Sequence, residues 1–249
     1  VYEDAKKEVA ILLFSGSVTY EWDGKKVEAD RPDCFHHDAY CLLAGCGTKV
    51  TITAKAHSEL YIQATVNETP YEAVMYTPDK VQVEHKGFGG ELMGCMSREI
   101  KTFFDLDNAP FSKMVLGEVL NLPGKWSSYP PHHHPQPEVY FYRFDYPDGF
   151  GAGFANGEIF KTQHNGCAVL PAGVAGVGLH HFRVFVIDTG QHTAAAGIID
   201  RQMKGVRSCF GLVLRHTFLT ELANGTLLCA RLTATVGEYA FQYGGSQGS

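Results

Sequence analysis

The residues best suited to chemistry gather in one short stretch, Gly124 to Tyr140, where His132, His133 and His134 are followed by Glu138. Side chains at i and i+2 of an extended segment point to the same side. His132 and His134 can therefore aim together into a barrel while His133 points away. Pro135 and Pro137 force a bend after the triplet. Beyond that bend Glu138 can turn the same way at the start of the next strand. Two imidazoles and a carboxylate suit Zn, Mn, Fe, Co or Ni and leave positions open to water or substrate. A histidine triplet alone also suits a solvated loop or an adventitious metal site. The bracketing prolines, the spacing of Glu138 and the strand-like run that follows favour a built site.

Such a site needs strands to hold it, and the chain reads as almost nothing else. Residues 9–14 are apolar enough for a buried strand, and 17–22 alternate before the Asp23-Gly24 hairpin turn. Further strand candidates cover 39–43, 49–54 and 59–64, separated by short turns. Residues 66–90 read as a linker with an edge strand near 81–84, and 96–104 as another strand. A second meander starts at Met114 and continues through 139–144, 158–162, 168–170 and 183–187. Short strands at this spacing predict barrels or sandwiches rather than βαβ units. The fold expected is all-β, a bicupin of two β-barrel or jelly-roll domains: 1–90 as a metal-free barrel, 91–190 as the barrel with the metal site, and 191–249 of unassigned arrangement. Helix is expected only near 219–223. The N-terminal half offers His36, His37 and Asp38 but no H-x-H with a following Glu.

Composition narrows the function classes. The chain has 249 residues, long enough for two barrels, with 45% hydrophobic and 19% charged residues. A formal net charge of -6 and the absence of a basic run argue against nucleic-acid binding. No apolar run approaches the length of a membrane span. Residues 1–4 do not read as a signal peptide. The seven cysteines are odd in number and form no CxxC pair, which suits buried thiols in a reducing cytoplasm better than a disulfide framework.

The run Gly124…Ser127-Ser128-Tyr129-Pro130-Pro131-His132…His134, followed by Glu138-Val139-Tyr140 and Tyr142-Arg143, resembles the motif of the 5-deoxyglucuronate isomerase family of myo-inositol catabolism. That family is similar to the 4-deoxy-5-ketouronate isomerases of pectin breakdown. Leu116-Gly117-Glu118-Val119 before it agrees, as do Pro147-Asp148-Gly149 and 165–173 after it. The resemblance spans roughly residues 8–190. It implies a bicupin and a divalent metal (Zn, Mn or Fe) held by His132, His134, Glu138 and a fourth histidine. That histidine is missing from its usual place after Pro171-Ala172-Gly173; the pair His180-His181 offers a substitute, with His181 the candidate, against the alternative that both are ordinary strand residues. From about Gln191 onward no family match is visible.

The activity so implied is an aldose–ketose isomerisation of a deoxy-sugar acid such as 5-deoxyglucuronate, which moves a proton between adjacent carbons. Tyr140 and Tyr142 share a strand face with Glu138 and are the candidates for assisting proton transfer; Lys125 is counted with them as a catalytic candidate through contact with the substrate carboxylate. Arg98 and Arg143 are the candidates for the substrate carboxylate, which Arg can bind bidentately, although Arg143 alternates against Tyr142. The expected partners are a small-molecule sugar acid and further copies of the chain, with no nucleic acid and no membrane. Rival readings are a non-catalytic sugar-acid-binding cupin, a metal-dependent cupin oxygenase and a storage-like scaffold. Fold alone does not choose among them.

Overall fold

The computed structural model describes residues 1–132, 137–156, 158–170, 176–180, 184–191, 217–221 and 228–234. These residues form eighteen strands and two short 3-10 turns, Pro78–Lys80 and Glu91–Gly94. The chain divides into one unit of residues 1–79 with 212–249 and a second of residues 80–211.

In the first unit the strands are β1 (Lys7–Trp22), β2 (Lys25–Arg31), β3 (Cys41–Ala44), β4 (Val50–Ala54), β5 (Ser58–Val66) and β6 (Val74–Tyr76). The long β1 is shared: its later half pairs with β2 and β4, and its earlier half with β3 and β5. Gly16, at φ 106, lies between the halves, where a Cβ would stand 2.3 Å from Ser58 Oγ. Only glycine fits that close approach. Alternation within each half of β1, with an irregularity between Leu13 and Ser15 that switches the parity, places Val9, Ile11, Leu13, Val18, Tyr20 and Trp22 in one core cluster.

The second unit contains β7 (Gln82–Lys86), β8 (Arg98–Phe104), β9 (Met114–Asn121), β10 (Trp126–His132), β11 (Glu138–Phe144), β12 (Phe150–Ala155), β13 (Glu158–Gln163), β14 (Cys167–Leu170), β15 (Gly176–His180) and β16 (Val184–Gln191). They build two antiparallel sheets, ordered β14-β11-β16-β9-β8-β7 and β10-β15-β12-β13. Val119, Tyr140, Tyr142, Phe144, Ala168 and Leu170 of the first sheet form a core cluster, against which Ala155 and Phe160 of the second also pack. That cluster defines the inner faces of the two sheets.

Back in the first unit, β17 (Thr217–Glu221) pairs with β18 (Leu228–Ala234), and β18 with β5. The helix expected near 219–223 is therefore replaced by a strand over 217–221. A five-residue helix has too few internal hydrogen bonds to hold by itself, whereas pairing with β18 supplies a ladder. The same pairing joins this part of the C-terminal segment to the first unit. The unit boundary falls at residue 79 rather than 90, because β7 pairs with β8.

Candidate metal and substrate site

Glu138 opens β11 on the inner face. It pairs with Leu170, a member of the core cluster, and is 6% exposed. A buried carboxylate needs hydrogen-bond donors or a cation. Tyr140, two residues on and on the same face, provides one: its hydroxyl donates to Glu138 Oε2 at 2.6 Å. Tyr142 continues the face inward, with its ring 6.4 Å from that of Tyr140.

His132 reaches the inner face by a different route. In the β10–β15 ladder Ser127 pairs with Gly178 and His132 with Gly176, so five steps on β10 match two on β15. Five steps of a regular strand would put Ser127 and His132 on opposite faces. The bulge absorbs the odd residues and brings both into register with the inner face, because Gly178 and Gly176 pair with Gly153 and Ala155. The inward aspect of Gly153 is fixed by Phe160, whose ring fills the space a Cβ there would occupy. His132 ends β10 and Glu138 begins β11, so both donors lie at one end of the second unit, with His132 exposed and Glu138 buried.

His134 and His181 lie outside the described residues. Among the described residues no group of three or more His, Cys, Asp or Glu is gathered around a point where an ion could sit. The two donors that are described, one imidazole and one carboxylate, match in kind what a borderline divalent ion accepts. The hydrogen bond to Tyr140 is the outer support such ligands usually have. His180 pairs with Gly151, four positions along β15 from Gly176. That is about 13 Å of strand from the His132 rung.

Three other expected site residues fall elsewhere. Arg98 pairs with Asn121, Asn121 with Val184 and Val184 with Phe144. Arg98 is thus level with the far end of β11, six residues from Glu138, or about 20 Å along the strand. The rung of Tyr142, Val119 and Ile100 stands between them. Arg98 is buried there and donates from Nη1 to the Met96 carbonyl at 3.0 Å. Lys125 belongs to the turn before β10, where its N–H donates to the Leu122 carbonyl at 3.2 Å. It sits at the end of β10 opposite His132. Arg143 takes the face of β11 opposite Tyr142, as alternation requires. Beside it His164 is held below its ordinary pKa, first by burial and then by the Arg143 charge.

The far end also holds a residue that the sequence did not single out. Asn121 is 0% exposed, and neither side-chain amide atom has a hydrogen-bond partner among the described residues. An Asn closing a largely apolar strand is the sequence signal for it. In the first unit, His36 and His37 each turn Nδ1 to a different oxygen of Asp33, both at 3.0 Å. That makes a local clasp of the loop. No helix among the described residues is long and apolar enough to cross a membrane.

The comparisons with known proteins agree with this architecture. An IolB-like protein from Salmonella typhimurium LT2 superposes with a TM-score of 0.70 at 17% identity, over 82% of this chain and 81% of its own. A putative glyoxylate-induced protein from Pseudomonas aeruginosa gives 0.59 at 11% identity, over 79% and 70%. YlbA from E. coli gives 0.56 at 13% identity, over 79% and 72%. These likenesses establish the all-β bicupin fold. No curated protein matches the chain in sequence. The sequence matches the KduI/IolB family over residues 1–194, and the chain therefore belongs to that family of sugar-acid isomerase-like cupins.

Proposed function

We propose that the chain is a metal-dependent isomerase interconverting the aldose and ketose forms of a deoxy-sugar acid such as 5-deoxyglucuronate. The observation that carries this reading is the buried Glu138 carboxylate, bonded by Tyr140, at the start of β11, with His132 at the end of the preceding strand β10. Membership of the KduI/IolB family supports the reaction class. His132 and Glu138 would hold the ion together with His134 and His181. A bound divalent ion supplies Lewis-acid stabilisation of charge developing on the substrate carbonyl and its neighbouring hydroxyl.

The rest is the work of side chains. The Tyr140 hydroxyl holds Glu138 in one orientation. In this reading it also shares a proton with a hydroxyl of the bound sugar. Tyr142 packs beneath and closes the inner end of the site to water. Arg98, Lys125 and Arg143 take no part at the reacting carbons in this reading.

The test is metal analysis of the purified protein alongside an isomerase assay on 5-deoxyglucuronate, for wild type, His132→Ala and Glu138→Gln. The expected result is stoichiometric metal and turnover in wild type, with both lost in the variants. A wild type without divalent metal, or variants with undiminished turnover, overturns the reading.

A further inference from the structure

β7 is the last strand of its sheet and pairs only with β8 among the described residues. Four of its five residues are exposed. An open edge presents a row of backbone donors and acceptors, and proteins usually guard such an edge with charged side chains, a proline or a bulge. β7 has no proline and no bulge, and its charges are of both signs. Its two charged residues, Glu84 and Lys86, have opposite signs and lie on one face, 3.3 Å apart.

The other face of β7 is an apolar stripe. Val83 is 50% exposed and Phe88 55% exposed. His85 lies between them, edge-on to the Phe88 ring at 5.4 Å and bonded through Nε2 to Glu99 at 2.9 Å. The turn that follows adds Met93, 97% exposed, at the tip of the hairpin. Leu92 and Met93 are both held at positive φ there.

We infer that β7 is a homodimer interface, at which a second copy of this chain adds its own β7 antiparallel and continues the sheet across a two-fold axis. The charge pattern selects both occupant and register. An antiparallel pair of identical strands centred on His85 sets Glu84 opposite Lys86 of the copy, and Lys86 opposite Glu84, so both contacts are attractive. Centring on Glu84 or on Lys86 instead would set like charges face to face. In the His85 register Val83 meets the level of Gly87 of the copy, and Phe88 that of Gln82. The two apolar stripes then meet on one side of the joined sheet while the charges pair on the other. This assembly is independent of the catalytic reading, because β7 lies outside the His132–Glu138 end.

The experiment is sedimentation velocity on the full chain at tens of micromolar, for wild type, Glu84→Lys, Lys86→Glu and the double exchange. Glu84 is exposed and Lys86 half-buried, and circular dichroism checks the fold of all three variants. Wild type should be a dimer. Each single reversal creates two repulsive contacts and should weaken dimerisation by about tenfold or more. The double exchange restores opposite signs and should restore the dimer. A monomeric wild type overturns the proposal, as does a dimer indifferent to the single reversals. Single reversals that weaken the dimer without recovery in the double exchange also overturn it, because the register is then different.

Discussion

The Tyr140 hydroxyl and Glu138 Oε2 stand 2.6 Å apart, two residues along one strand and both buried. This pair links the fold to the proposed chemistry, because alternation along β11 is what keeps both on the inner face. Tyr140→Phe removes the donor and leaves the carboxylate in place. A hydrogen bond to a charged group contributes about 1.5–3 kcal/mol, so the apoprotein should lose stability of that order in urea unfolding. If Glu138 ligates a metal, loss of its supporting partner should also weaken metal affinity by about 10–100-fold. Competition with a chelator of known strength reads that directly. Unchanged stability would mean that the hydroxyl is not engaged with the carboxylate in solution.

Arg98 and Asn121 test where the substrate lies. Both sit at the far end of the unit, beyond the Tyr142–Val119–Ile100 rung. Arg98→Met should therefore leave KM for the sugar acid unchanged while lowering stability. Asn121→Leu should do the opposite to stability. A buried amide without partners costs about 1–3 kcal/mol, and leucine of similar volume removes that cost. The urea midpoint should rise with an unchanged m-value. A raised KM in Arg98→Met would return Arg98 to the substrate site.

Much of this was legible in the sequence because period-2 alternation and turn residues are local signals. Alternation alone put Tyr140 and Tyr142 on the face of Glu138 and Arg143 on the other, and the structure agrees. The parity of His132 was not legible, since Pro130-Pro131 mark an interruption of β10 but its length is set only by pairing with β15. The rungs of Arg98 and Lys125 were not legible for a related reason. Sequence proximity to the motif gives no rung, and the rung depends on ladders through β9 and β16 that join residues far apart in the chain. The strand over 217–221 was missed because its partner lies in β18, and β18 in turn depends on β5.

Gly153 and Phe160 give a packing test of the inner face. A Cβ at Gly153 would stand 2.1 Å from Phe160 Cζ, which real contacts do not allow. Gly153→Ala should destabilise by about 1–3 kcal/mol through overpacking. Phe160→Leu costs stability by itself, yet in the double variant it should recover part of the Gly153→Ala loss. Coupling of about 0.5 kcal/mol or more in a double-mutant cycle is the expected result. Strict additivity would place the ring elsewhere.

His164 supplies a pH dependence whose sign is fixed. Burial, and then the Arg143 charge, hold its pKa below the ordinary 6.5, and the Phe144 N–H donates to Nδ1 at 3.3 Å. That bond occupies the Nδ1 lone pair, so the neutral ring carries its proton on Nε2. Because the folded-state pKa is lowered, the unfolded chain binds the proton first as pH falls. The contribution of His164 is fully present above pH 6.5 and is lost as the pH drops from there toward its folded-state pKa. Arg143→Gln removes the second cause and leaves the first. The His164 pKa, followed by the NMR shift of its ring protons, should rise toward the ordinary value without reaching it, and the acid loss of stability should shrink. A His164 titration indifferent to Arg143→Gln would show that the guanidinium points away from the ring, and burial alone would then account for the shift.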